Sequence, residues 1–380
     1  MSKTVFHDRA GKDFLMKIAL LGYGTVGQSV AKLLSTRRTG IELKTILRRK
    51  GKADAANMTD CYADILGDPE IDAVVEVLSG KDPAANYIRQ ALSAGKHVVS
   101  ANKAALASDF PALLKLAEKQ NVSLLYEASC GGGIPWLENI KKAAAFDHIN
   151  AVSGILNGTG NYIIDRMESE GAEFSEALSS AQALGYAEAD PTADIGGYDI
   201  RNKALISCTL AYGGEITADF PVLGIEKLTK AVLGLLHAQH KSLRLMMYSV
   251  RRENAYAVGV APIVLPDTSV EAHVQKNFNC AALCGDVVGE LKFYGQGAGG
   301  FPTADAVIQD LILIRDKKAV PVKLQNKLCY EEALLSGTGY FAESSAQGTQ
   351  LVARTGTLAE LSRAAKAKDV FMAFEPAPLS

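Results

Sequence analysis

The stretch AEADPTADIGGYDIRNK, Ala187 to Lys203, holds Glu188, Asp190, Asp194 and Asp199 with no cation until Arg201. Like charges at that density repel, so the run reads as a repulsive cluster or a metal loop. A calcium loop is excluded by pattern: Asp190 and Asp194 lack the alternate spacing, and there is no D-x-D-x-D-G run. Asp199 and Lys203 stand four apart, so on one helix they share a face. That spacing fits an ordinary surface ion pair as well as a charged pair in a pocket.

LLGYGTVGQSV carries G-x-G-x-x-G as Gly22, Gly24 and Gly27, after an apolar run and before a helical pattern. The first glycine permits a tight turn, the second a close approach to pyrophosphate, and the third helix-on-strand packing. The amides of Thr25 and Val26 would face phosphate from the helix N-terminus. A dinucleotide is therefore expected. An acid should close the second strand if the ribose hydroxyls are free, but Arg48, Arg49 and Lys50 stand there. Cations at that point suit a 2′-phosphate, favouring NADP over NAD.

Other polar residues follow strand ends. Asn102 and Lys103 leave the fourth strand where open α/β sheets bind ligands, and Lys103 suits a carboxylate, a nicotinamide or only a helix start. Ser79, at the end of the third strand, and Ser100, within the fourth, join the cofactor-binding candidates. YEASCGGGIPW exposes backbone carbonyls beside Glu127, an oxygen-rich set suited to a hard cation or merely a turn between domains. GILNGTGNYI sets Asn157, Thr159 and Asn161 around two glycines, for a small polar substrate or a helix cap.

These residues need a scaffold. Strands are expected at Met16–Gly24, Ile41–Leu47, Ile71–Ser79, His97–Asn102 and Ser123–Ser129, with helices at Val26–Ser35, Pro83–Ala94 and Phe110–Lys119. Alternation of this kind means βαβ units and a parallel sheet. Beyond about residue 150 the pattern is mixed. Strands are expected at Ile149–Gly158, Ala255–Leu265 and Cys280–Gly295, and helices at Asn161–Glu168, Phe174–Leu184, Asp199–Tyr212 and Thr303–Ile314. Another helix opens at Ile225–Lys230, and the last lies at Thr357–Lys368. The fold class is α/β: a Rossmann dinucleotide-binding domain over 16–148 and an α+β catalytic and dimerisation domain over 149–300. A return segment to the nucleotide-binding domain spans 301–325, and 326–380 is an unassigned C-terminal extension.

The 380 residues exceed what one core usually holds. A net charge of −2 without a basic stripe argues against nucleic acid or an anionic membrane as partner. The apolar runs are too short to span a bilayer. The polar N-terminus has no apolar signal core, which points to the cytoplasm, and Met16 is an alternative start that would make 1–15 a leader. The six cysteines include no C-x-x-C pair and read as buried reduced thiols. His237 and His240, three apart on an expected helix, have no evident third metal ligand.

Taken in order, GYGTVG, SANK, YEASCGGGIP, GILNGTGNYI, LGYAEADPTADIGGYDIRNK and FYGQGAGGFPTADAV resemble the homoserine dehydrogenases, over roughly residues 16–315. The resemblance implies NAD(P)-linked interconversion of L-aspartate 4-semialdehyde and L-homoserine, on the route to threonine, methionine and isoleucine. It implies Lys203 as proton donor, Asp199 and Glu188 as substrate-binding acids, and Lys103 beside cofactor and substrate. Asp194, Asn157 and Thr159 join the substrate set, and Gly185, Gly297 and Gly299 lie near the cofactor. A monovalent cation, Na+ or K+, would sit at Glu127 with main-chain oxygens of Cys130, Gly132 and Ile134, and the enzyme would be a homodimer. Gly160 and Cys130 depart from the Thr and Val expected there. No match to a regulatory ACT domain follows residue 320. The competing readings are a dehydrogenase of another small aldehyde or amino acid, and a non-catalytic NADP-binding sensor.

Overall fold

A computed structural model describes residues 15–378 apart from Asp54, Ala218 and Gln347. The leader reading for residues 1–15 falls almost wholly outside the described residues. In chain order the elements are β1 (Met16–Leu21), α1 (Thr25–Thr36), β2 (Ile41–Leu47), β3 (Met58–Thr59), α2 (Tyr62–Gly67), β4 (Ala73–Glu76), α3 (Ala84–Ser93), β5 (His97–Ser100), α4 (Lys103–Ala107), α5 (Phe110–Lys119), β6 (Leu124–Leu125) and α6 (Trp136–Ala144). Then come β7 (Ile149–Ile155), α7 (Gly158–Ser169), α8 (Phe174–Ala183), α9 (Thr192–Ile195), α10 (Tyr198–Tyr212), α11 (Lys230–His237), β8 (Lys241–Arg252), β9 (Ala255–Pro266), β10 (Phe278–Gly285) and β11 (Gly289–Gln296). The chain closes with α12 (Gly300–Arg315), β12 (Cys329–Tyr330), β13 (Ser336–Ser345), β14 (Gly348–Thr357), α13 (Leu358–Lys368) and β15 (Met372–Pro376).

Two compact units result. The first runs to Leu137 and regains Ala298–Lys323; the second is Glu138–Gly297 with the residues from Leu324 onward. The division thus falls inside α6 rather than at 148, and the return segment begins at 298 rather than 301. Residues from 324 are no separate extension. Phe341, Leu358, Leu361, Met372 and Phe374 share a buried core with Ile155, Met246, Ala257 and Ile263, so the tail completes the second unit.

The first unit is a parallel six-stranded sheet of order β3-β2-β1-β4-β5-β6. Strands buried on both faces read as nearly continuous apolar runs, as MKIALL does. Ala304, Val307, Leu311 and Ile314 of α12 enter the same core as Ile18, Leu20, Val75 and Val99, which is why the chain returns. The second unit holds a nine-stranded mixed sheet of order β11-β10-β7-β8-β9-β15-β13-β14, with β12 on β9. Its β15 pairs parallel to β9 at Phe374 and Ile263.

Some expected elements are shorter. The third strand is only Ala73–Glu76, so Ser79 lies in the loop beyond it, and the fourth stops at Ser100 because Asn102 caps α4. Of Ser123–Ser129 only Leu124–Leu125 pairs, and Glu127–Ser129 is a 3-10 turn. The Cys280–Gly295 segment is a hairpin, β10 to β11. The helix expected from Ile225 starts at Lys230, where Thr229 caps it. It ends at His237, and His240 sits in a turn with φ 56°, so the two histidines share no helix face. Three cysteines are buried and Cys284 half-buried, but Cys61 and Cys329 are exposed.

Candidate active site

In the first unit the three glycines have three separate causes. Gly22 has φ +101°, a region that favours glycine. A Cβ on Gly27 would lie 2.3 Å from the Gly22 carbonyl oxygen, so α1 can pack this closely only without one. A Cβ on Gly24, the N-cap of α1, would meet no described atom within 4 Å. Open space before a helix N-terminus is where an anionic ligand fits. The N-terminus of α12 joins it: a Cβ on Gly300 would lie 3.2 Å from Thr25 Cγ2, and Gly299 is the α12 N-cap. Two helix N-termini therefore converge, with Thr25 and Val26 in the first turn of α1.

Arg48, just past β2, lies with its guanidinium 5.3 Å from the Tyr23 ring centroid, inside the glycine turn. Arg49 and Lys50 are exposed beside it. Ser79 is exposed, whereas Ser100 is fully buried and donates from Oγ to Glu76 Oε2 (2.6 Å). Its hydroxyl is thus engaged within the protein. Asn102 Oδ1 accepts from Ala105 N (3.0 Å), and half-buried Lys103 is the first residue of the helix so capped.

Glu127 is buried; Oε1 accepts from Leu137 N (2.9 Å), and its own N–H donates to Asp310 Oδ2 (2.9 Å). Gly131 and Gly132 follow with φ +84° and +59°, folding the segment through Ile134 beside a buried carboxylate. That donor chemistry, carboxylate plus main-chain oxygens, fits a hard cation. Among the described residues, no cluster of three or more His, Cys, Asp or Glu could hold a metal.

In the second unit the acid block ends on α10. Lys203 and Asp199 are both buried, with Lys203 Nζ 2.8 Å from Asp199 Oδ2 and 2.5 Å from the Leu156 carbonyl. A surface ion pair is thereby ruled out. Asn157, where β7 gives way to α7, donates from Nδ2 to both Asp199 Oδ2 (2.9 Å) and Asp194 Oδ1 (2.7 Å). Its Oδ1 accepts from Gly160 N (2.7 Å), capping α7. The Asn157 amide is therefore engaged with both acids and with the start of α7. Thr159 donates to the Tyr186 carbonyl (2.6 Å), tethering the Gly185–Tyr186 turn. Gly160 lies in this corner, and a Cβ there would be 3.3 Å from Leu245.

Glu188 and Gly185 are exposed, on the loop before α9. Asp190 bonds the Thr192 hydroxyl (2.6 Å) and amide (3.1 Å), and that pairing holds its carboxyl below the usual range. It is a turn cap, while Asp194 belongs with Asp199. Gly297 closes on Asn279: a Cβ there would be 2.0 Å from Asn279 Nδ2. Sequence reading missed Asn102 as a cap-forming anchor and also missed Glu76. The only signal for Glu76 was a lone acid inside the apolar run AVVEVL.

A dinucleotide-type first unit and a second unit with a buried lysine–carboxylate pair define an NAD(P)-linked oxidoreductase. Family models for the NAD-binding domain of homoserine dehydrogenase and for homoserine dehydrogenase match residues 22–127 and 135–312. The chain is 37% identical to the homoserine dehydrogenase of Synechocystis over 79% of its own length and 73% of that protein. It is 34% identical to that of Corynebacterium glutamicum over 95% and 85%. The crystal structure of a homoserine dehydrogenase from Thiobacillus denitrificans superposes with TM-score 0.85 at 29% identity, covering 95% of this chain and 98% of that one. The chain belongs to the homoserine dehydrogenase family.

Proposed function

We propose that the enzyme interconverts L-aspartate 4-semialdehyde and L-homoserine with NADP, and that Lys203 moves the proton. The observation that carries this is the buried Lys203 ammonium, fixed between Asp199 and the Leu156 carbonyl. When bound, the nicotinamide supplies or accepts the hydride at the carbon bearing the oxygen. In reduction, the Lys203 ammonium polarises the aldehyde oxygen and gives a proton to the alkoxide as it forms; in oxidation it takes the proton back. Asp199 orients that ammonium. Asp194 and Glu188 supply negative charge for the substrate's α-ammonium group, with Asn157 holding the first of these in place.

The cofactor would be held by Gly22, Gly24, Thr25, Val26 and Gly27, with Gly299, Ser79 and Lys103 contributing. Arg48, Arg49 and Lys50 take the 2′-phosphate, which is the reason for preferring NADP. Na+ or K+ is assigned to Glu127 and the main-chain oxygens of Cys130, Gly132 and Ile134. Gly185 and Gly297 are assigned near the cofactor on the family resemblance, as are the homodimer, the cytoplasmic location and the biosynthetic route. Among the described residues no helix is long and apolar enough to cross a membrane.

The test is a NADPH- and NADH-linked assay on L-aspartate 4-semialdehyde, with and without K+ or Na+. Turnover several-fold faster with NADPH and raised by the cation is expected. Faster turnover of other small aldehydes would overturn the substrate assignment.

A further inference from the structure

Glu76 is the last residue of β4, fully buried, and the proposed mechanism makes no use of it. Its register partners are Leu21, immediately before the glycine turn, and Ser100, at the end of β5. With β1 flanked by β2 and β4, this is where the strand order reverses, and such sheets bind ligands outside the strand ends at that point.

Among the described residues, the hydrogen-bond partners of the carboxylate are donors. Ser100 Oγ donates to Oε2 (2.6 Å), and Leu78 N (2.8 Å) and Asn102 Nδ2 (3.3 Å) donate to Oε1. Asn102 Nδ2 also reaches the carbonyls of Leu78 (3.1 Å) and Gly80 (2.7 Å), while its Oδ1 caps the helix that opens with Lys103. The Val77–Leu78 backbone so held lies under the glycine turn, since a Cβ on Gly22 would be 3.1 Å from the Val77 oxygen. One acceptor group thus fixes the loop beneath the glycine turn and, through Asn102, the Lys103 helix.

We propose that Glu76 is a positioning residue for the cofactor crevice, which it shapes by holding the 77–80 loop and the Asn102–Lys103 helix start in register. This rests on the proposed dinucleotide site. A glutamine would replace it imperfectly. Its amide nitrogen would face Ser100 Oγ, which would lose the acceptor it now donates to and would have to accept a second bond beside that from Asn102 N (3.1 Å). An aspartate keeps the charge but falls one methylene short.

Glu76→Gln and Glu76→Asp are compared with the unmodified enzyme for NADPH Kd by nucleotide fluorescence, for kcat and the KM of L-homoserine at saturating cofactor, and for Tm. Both variants are expected to raise the NADPH Kd at least fivefold and lower kcat, with the L-homoserine KM within twofold. A Kd within twofold in either folded variant overturns the proposal, even if Tm falls. So does failure of both variants to fold, which would make Glu76 a core residue only. Unmodified enzyme that binds neither NADPH nor NADH would instead remove the dinucleotide reading, and the proposal with it.

Discussion

Lys203 on α10 donates to the main-chain oxygen of Leu156, forty-seven positions earlier, at 2.5 Å. The side chain is therefore anchored to the turn where β7 ends as well as to Asp199 one helical turn away. A flexible cation with one partner could swing; with two partners on different elements its head is fixed, and fixed orientation is what an acid needs at the moment of proton transfer.

Asn157 should matter to rate more than to binding. Asn157→Ala removes the amide shared by Asp194 and Asp199 and the cap of α7, the latter alone worth about 1 kcal/mol. A drop in kcat of at least tenfold is expected, with Tm lowered by a few degrees. Steady-state kinetics beside thermal melts check this; unchanged kcat would return Asn157 to a capping role.

The glycine loop separates packing from ligand space. Gly27→Ala drives a methyl against the Gly22 carbonyl and should destabilise the fold by about 1–3 kcal/mol. Gly24→Ala meets no described neighbour, so denaturant midpoints should hardly move while NADPH affinity falls at least tenfold. Equal effects of the two substitutions on stability would contradict this division.

Arg48→Ala should change coenzyme choice. Losing a charge-assisted contact of about 1.5–3 kcal/mol predicts a roughly 10- to 100-fold fall in kcat/KM for NADPH and little change for NADH. Parallel losses with both coenzymes would show that Arg48 only supports Tyr23.

His97 gives a pH signature in stability. Burial pushes its imidazole below the ordinary value, and Nδ1 lies 2.9 Å from Ser123 N–H, which the neutral ring accepts. Protonation therefore favours unfolding. The contribution is complete above about pH 6.5, the unfolded value, and is lost as pH falls through the lower folded value, with a slope of up to about 1.4 kcal/mol per unit. Denaturant melts between pH 7 and 5 should show this slope, and His97→Gln should flatten it.

Local pattern was legible in the sequence where local chemistry decides. Ile41–Leu47 and Phe110–Lys119 have the bounds their apolar spacing predicts, and Asp199 and Lys203 share a face because four residues make one helical turn. What depends on distant partners was not legible. Nothing in GILNGTGNYI says that Asn157 will meet acids 37 and 42 positions later. Likewise Phe374 finds its place only beside Ile263, so the tail looked unattached. Glu76 needed both neighbouring strands before its single charge made sense.

The most direct measurement is NADPH-linked reduction of L-aspartate 4-semialdehyde by Lys203→Ala, with NADPH Kd and Tm determined on the same preparation. The expected result is a folded enzyme that binds NADPH normally but has lost roughly 10²–10⁴-fold in kcat, with KM changed far less. Turnover within a few-fold of the unmodified enzyme would contradict the assignment of Lys203 as the proton donor.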